Sequence, residues 1–197
     1  MSRVFDIIVS FLALVFVLPL FVAVPILIIL DSRGPVFFRQ ERVGFGRNPF
    51  KVLKFRSMVH FQPGDSAPIT VGRDPRITRI GKLIRACKID ELPQFLNVLA
   101  GQMSVVGPRP EVPRYVALYP EPTAKIIFSV RPGITDPASV QFRNESDLLK
   151  HQQDPEAFYC SVLLPRKLKI SCDYIMRRTI LTDLGIILKT FLLCFRR

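Results

Sequence analysis

The sequence predicts a single α/β domain, helix-rich with a small antiparallel sheet, behind an N-terminal membrane segment that carries Pro19 and Pro25. Three observations lead there: an uncharged apolar run from Ile7 to Leu30, two strand-like runs around a glycine-containing loop, and helical periodicity through much of the remainder. A length of 197 residues suits one domain with a real core and is short for two. With 49% apolar residues and 16 Phe, the chain is not of the disordered class. Its four cysteines are widely spaced and form no C-x-x-C pair, which excludes a disulfide scaffold and points to a reducing compartment. The 28 Lys+Arg against 16 Asp+Glu leave a net charge of +12, so an anionic partner is expected beside an apolar phase.

The run from Ile7 to Leu30 holds 24 residues without a charge. As a helix it reaches roughly 36 Å, enough to cross a hydrocarbon core of about 30 Å. It is too long for a signal-peptide core, and no small-residue cleavage site follows it. Pro19 and Pro25 each remove a backbone hydrogen bond and bend a helix. Residues 31–60 carry seven basic side chains against Asp31 and Glu41, which places that side in the cytoplasm. Charge alone favours a single-pass span with the amino terminus outside. A bend at Pro19 equally permits a helix that turns and returns to the same face.

Beyond a turn at Asp31–Pro35, Val36–Gln40 and Phe50–Phe55 read as strands flanking the loop Gly44–Pro49. Gln62 to Pro75, rich in Gly, Pro, Asp and Ser, reads as a mobile surface loop. Thr78 is placed to cap a helix through about Cys87, with Ile80, Leu83 and Ile84 on its apolar side. A second helix is expected from Asp90 to just before Gly101, with Leu92, Phe95, Leu96 and Leu99 inward. Pro113–Leu118 and Ala124–Val130 follow as helices, ended by Arg131-Pro132-Gly133. The stretch Ile175–Arg197 is the most amphipathic: Ile180, Leu184, Ile187, Leu188, Phe191 and Phe195 share a face, while Arg178, Thr182, Lys189 and Arg196 lie away from it. Such a helix either packs on the core or lies in a membrane interface. The cysteines are read as small apolar fillers, and His60 and His151 form no metal site.

Two motifs point to chemistry. In Asp90-Glu91-Leu92-Pro93, the plain reading is an N-cap, an acidic first turn and a tolerated proline. The same geometry also suits a carboxylate nucleophile or metal ligand, because a helix N-terminus attracts phosphate. In Gly107-Pro108-Arg109-Pro110, two prolines make a rigid mount for a guanidinium that matches phosphate oxygens, or simply a turn with a solvated Arg. Lys54-Phe55-Arg56-Ser57-Met58 and Arg131-Pro132-Gly133 set further cations beside turns. The combination fits a diphosphate substrate at a bilayer surface.

These segments, together with Phe37-Phe38-Arg39-Gln40-Glu41-Arg42-Val43-Gly44, Asn97-Val98-Leu99, Met103–Pro110 and Arg131–Thr135, stand in an order that resembles the bacterial sugar transferases known as monotopic phosphoglycosyl transferases. The resemblance runs from about Arg3 to the C-terminus. It implies transfer of a phospho-sugar from a UDP-sugar to a polyprenol phosphate, usually undecaprenyl phosphate, with release of UMP and a requirement for Mg²⁺. This is the first membrane step of glycoconjugate synthesis.

By the same resemblance, Asp90 is the nucleophile of a ping-pong mechanism. Glu91 is its partner carboxylate, and the pair serves Mg²⁺. Arg85 and Arg109 contact phosphate, and Lys54, Arg56 and Arg131 are further candidates. The resemblance also implies a re-entrant helix over 1–31, broken at Pro19, and a catalytic domain over 32–197 with an interfacial C-terminal helix. The expected location is the cytoplasmic face of the bacterial inner membrane. The expected partners are membrane lipid and the two substrates rather than nucleic acid, with a homodimer left open. Two positions depart from the family pattern: Gln102 stands where an acidic residue is common, and Asp136-Pro137-Ala138 where Gly-Trp-Ala is common. The first removes a carboxylate, and the second bears on the choice of donor.

The other classes are a membrane-anchored basic protein holding anionic lipid or nucleic acid, and an inactive scaffold of polysaccharide assembly. A binding protein weakens step by step as cations are removed, whereas the enzyme fails at the single substitution Asp90→Asn; parallel binding and turnover assays on such a series separate them.

Overall fold

The computed structural model describes residues 3–59 and 74–195. The N-terminal apolar run forms two helices, α1 (Arg3–Phe16) and α2 (Leu18–Asp31), with a 60° bend between them. The break sits at Val17 rather than at Pro19, which occupies the first turn of α2, where its missing N–H is no loss. Pro25 is accommodated inside α2. Among the described residues no single helix is long and apolar enough to cross a membrane, but α1 and α2 together are.

The expected hairpin is present and longer than expected. Strands β1 (Phe37–Val43) and β2 (Pro49–Phe55) pair antiparallel from Phe37↔Phe55 to Val43↔Pro49. Helix α3 (Arg79–Ala86) starts where predicted, with Thr78 Oγ1 accepting from Gly81 N–H at 2.9 Å. Of its expected apolar side Ile84 is buried, but Leu83 is exposed. The next helix departs from expectation. Ile89–Glu91 form a 3₁₀ turn, and α4 (Gln94–Leu99) begins only after Pro93. Its buried positions are Gln94, Asn97 and Val98, while Leu96 faces out. Asn97 explains the rotation: it accepts from Leu53 N–H and donates to Lys51 O, stitching α4 to β2 through polar bonds.

A second sheet lies outside the expectation altogether. Strands β3 (Ser104–Val106) and β4 (Gly133–Thr135) form a parallel ribbon, β3 running into the Gly107–Pro110 turn and β4 starting at Gly133, the end of the Arg131-Pro132-Gly133 turn. The backbones beyond it touch. A Cβ added at Gly133 would stand 2.1 Å from Gly107 N, and one at Gly107 would stand 2.5 Å from Arg131 O. Glycine is therefore demanded at both positions by close approach.

Short helices α5 (Pro113–Val116), α6 (Glu121–Ile127), α7 (Pro137–Gln141), α8 (Glu145–Lys150) and α9 (Pro155–Phe158) lead through a π-helical turn to α10 (Leu164–Met176) and α11 (Ile180–Phe195). The amphipathic stretch is thus divided between α10 and α11. Helix α11 buries Asp183 and Ile186, and it leaves Ile180, Leu181, Leu184, Leu188 and Leu192 exposed. The apolar stripe is not core. The expected loop over Gln62–Pro75 lies outside the described residues apart from Asp74 and Pro75, as does Arg196. Of the cysteines Cys172 is buried, but Cys87 is exposed and fills nothing.

Three apolar clusters hold the domain. Leu149, Tyr159, Leu163 and Leu164 centre the first, under α5–α10. Val52, Val98, Met103 and Val106 centre the second, which Val9 of α1 and Ile186 of α11 complete. The third joins Val24 and Ile28 of α2 to Phe55 and Ile84. The Gly107–Gly133 crossing leads to a stability prediction. Gly133→Ala should lower stability by about 3 kcal/mol or more in denaturant unfolding. Gly185→Ala in α11, where an added Cβ meets nothing within 4 Å, should be neutral or stabilising by up to about 1 kcal/mol.

Candidate active site

The two carboxylates sit where the chain leaves α3. Lys88 takes a left-handed conformation, φ +57°, and turns the backbone sharply into the 3₁₀ segment. Ile89 and Leu92, on either side of the acidic pair, pack against the cluster of Val24, Ile28, Phe55 and Ile84. That packing fixes Asp90 and Glu91 in place. Asp90 is buried, and its Oδ1 has no hydrogen-bond partner.

Glu91 is fully engaged. Its Oε1 accepts from Lys54 Nζ at 2.7 Å and from Arg109 Nη2 at 2.6 Å, and its Oε2 accepts from Arg109 Nη1 at 3.4 Å. Lys54 comes from β2, and Arg109 from the loop beyond β3. That loop is held from behind: Arg42 donates to Pro110 O at 3.1 Å and to Glu111 at 3.3 Å, and Tyr159 Oη donates to Glu111 at 2.6 Å. Arg109 also borders a small cavity with Glu111, Tyr119, Asp136 and Lys167.

The electrostatics separate the two acids. Burial raises the Asp90 pKa, and the negative Glu91 next to it raises it further, against Lys54, Lys88 and Arg85. Burial also opposes ionisation of Glu91, but Arg109 and Lys54 outweigh it and hold that carboxyl well below the ordinary range. Burial pushes the Lys54 ammonium down despite Glu91, whereas Arg109 is pushed up by Glu91 first and then by the Asp136 and Glu111 charges, against its own burial. Adjacent carboxyls driven apart in this way mark a functional site.

Of the residues picked out in the sequence, Asp90, Glu91, Lys54 and Arg109 come together, and Arg85 is near enough for its charge to act on Asp90. Arg56 is elsewhere: its guanidinium donates to Ile28 O, Ser32 O and Arg33 O, closing the C-terminus of α2. Arg131 donates to Gly101 O at 2.9 Å and lies over the Phe45 ring, exposed. Sequence reading missed Lys88, Gln94, Arg42 and Glu111. Gln94, four residues after Asp90, is buried with its Nε2 unpartnered. Only its i, i+4 spacing from Asp90 hinted at this.

The two departures from the family pattern have structural roles. Gln102 accepts from Asn97 Nδ2 at 2.7 Å. Asp136 caps α7 by accepting from Ser139 N–H at 2.7 Å, and it accepts from Ser171 Oγ at 3.1 Å. Among the described residues no group of three or more His, Cys, Asp or Glu could hold a metal by itself.

A buried carboxylate pair converging with a lysine and an arginine is an arrangement that can meet an anionic substrate. The chain belongs to the bacterial sugar transferase family, whose model matches residues 1–197. It is 36% identical over 194 residues to a UDP-glucose:undecaprenyl-phosphate glucose-1-phosphate transferase of Caulobacter vibrioides, covering 96% of this chain and 67% of that protein. It is 38% identical over 190 residues to a UDP-N-acetylgalactosamine-undecaprenyl-phosphate N-acetylgalactosaminephosphotransferase of Aeromonas hydrophila, covering 93% of this chain and 44% of the other. The exopolysaccharide production protein ExoY of Sinorhizobium fredii is 31% identical over 204 residues, 96% of this chain and 83% of that protein. The chain spans less than half the length of several relatives, the Aeromonas protein among them.

The charge arrangement sets the direction of each titration. In carboxyl-stretch infrared titration Asp90 should take up its proton at a pH above the ordinary aspartate value. Lys54→Met removes a charge that lowers this value and should move the step to higher pH. Glu91→Gln removes the charge that raises it and should move the step to lower pH.

Proposed function

We propose that this chain transfers a phospho-sugar from a UDP-sugar to undecaprenyl phosphate and releases UMP, in two steps through a covalent intermediate on Asp90. The names of the relatives support the substrates. One observation supports the assignment of roles: Glu91 is saturated by Lys54 and Arg109, while Asp90 beside it keeps a buried oxygen without a partner. In the first step an Asp90 oxygen attacks the β-phosphorus. The bond to the bridging oxygen breaks, UMP leaves with that oxygen, and the sugar phosphate remains as an acyl phosphate. In the second step a phosphate oxygen of the lipid attacks the same phosphorus and the Asp90 carboxylate departs. Lys54 and Arg109 lie where they would neutralise charge on the transferred group, and Glu91 holds both cations in place.

Mg²⁺ fits this pair as hard cations fit nucleotide sites, through one or two carboxylates completed by substrate phosphates. The unpartnered Asp90 oxygen is the donor that would meet it, with Glu91 as its neighbour. When bound, the ion would offset the negative charge of the diphosphate.

The topology we propose is re-entrant, at the cytoplasmic face of the bacterial inner membrane. Both ends of the α1–α2 pair are bound to the same body. Arg3 donates to Val98 O at 2.5 Å and Leu99 O at 3.1 Å, while at the far end Ile80 N–H donates to Asp31 at 3.0 Å and Arg56 closes α2. The exposed stripe of α11 and the exposed face of α1 would lie in the lipid interface.

Purified protein in nanodiscs, given Mg²⁺, undecaprenyl phosphate and a panel of UDP-sugars, should release UMP with a preferred donor. Asp90→Asn should reduce that release by at least roughly 10³-fold. Chelation of divalent ions should abolish it. Without lipid acceptor, mass spectrometry should find the wild type heavier by one phospho-sugar and the variant unmodified; a labelled variant would overturn the assignment.

A further inference from the structure

A buried carboxylate stands in the first turn of α1, and the reaction described above does not use it. Asp6 is 4% exposed. Ser104 Oγ donates to both its oxygens at 2.9 Å, and Val105 N–H donates to Oδ1 at 3.0 Å. Its partners are therefore residues of β3. Within the ribbon, Ser104 N–H donates to Pro132 O and Gly107 N–H to Thr135 O, so β4 satisfies those donors while the Val105 N–H turns away from it, towards α1. Without Asp6 that donor would be buried and unpaired. Beyond Val105 the chain has little freedom. Val106 O accepts from Arg178 Nη2 at 2.9 Å, Gly133 N–H donates to Pro108 O at 3.0 Å, and two prolines enclose Arg109. A shift of β3 is thus delivered to the Arg109 guanidinium, which has to meet Glu91 on a different element.

We propose that Asp6 is a positioning residue for Arg109: the first turn of the membrane helix pair sets the active-site guanidinium through β3. The inference rests on the reaction proposed above. It also gives a physical reason for a charge in a largely apolar segment, where an apolar side chain would leave the Val105 N–H without an acceptor.

The test uses the full chain in nanodiscs, with UMP release measured against donor concentration. The UMP burst in the absence of acceptor counts active sites. Per active site, Asp6→Ala should lower kcat/KM for the donor by roughly 10- to 100-fold. Asp6→Asn, whose amide oxygen still accepts from Val105, should recover to within about threefold of wild type. In an Arg109→Ala background, Asp6→Ala should add no further loss. If Asp6→Ala does not fold, Ser104→Ala replaces it with the same expected pattern. A loss confined to the number of active sites, or one that adds fully to that of Arg109→Ala, would overturn the proposal in favour of a purely structural role. A wild type that releases UMP while the variants behave additively removes this inference alone; a wild type silent with every donor removes the reaction and this inference together.

Discussion

A carboxylate withdrawn from water has to be met by cations, and Glu91 is met by two that come from distant parts of the chain. Lys54 arrives on the hairpin, Arg109 on the loop beyond the parallel ribbon, and Glu91 on the turn after α3. The three elements meet at this charge cluster. Breaking a buried pair of this kind by removing one partner costs about 3–5 kcal/mol, because the remaining charge is left uncompensated. The same arrangement isolates Asp90. It shares the burial of Glu91 and feels its negative charge, yet both cations are held on the neighbour. Two adjacent acids are thus given opposite ionisation tendencies by the direction in which one lysine and one arginine point.

Much of this was legible in the sequence, for identifiable reasons. The hairpin has paired extended runs separated by glycines, and Thr78 has the hydroxyl and spacing of an N-cap. Asp90, Glu91 and Arg109 each have a plain structural reading alone, and it is the order of several motifs, resembling a known family, that picks them out. The β3–β4 ribbon was hidden because three residues are too few for any period, and its parallel pairing joins segments about 30 residues apart. Arg56 looked like a phosphate ligand because its neighbours in the motif are cationic and aromatic. Its actual partners, the last carbonyls of α2, lie more than 20 residues upstream and leave no local trace. Leu96 was assigned inward by helical period, but Asn97 won that face through its bonds to β2. For α11 the period was legible and the side was left open; Asp183, which accepts from Arg178 and Tyr174, turns most of the apolar stripe outward.

Asp136 shows how a departure from a family pattern can be absorbed. At a position that raised a question of donor choice, the carboxylate is buried, caps α7 and ties it to α10 through Ser171. Its charge still reaches Arg109. Any effect of this residue on the substrate is therefore exerted through the field on the guanidinium and the placing of α7.

The binding of α1 and α2 to the rest of the molecule also bears on how the protein can be handled. An anchor that merely tethers can be cut away to leave a soluble enzyme. Here Val24 and Ile28 cover Phe55 and Ile84, Val9 closes the cluster around Val98, and Arg56 would lose the carbonyls it serves. A shortened chain beginning after Asp31 would expose the floor of its own active-site turn. Amphiphiles that preserve the helix pair, rather than truncation, are the route to a water-compatible preparation.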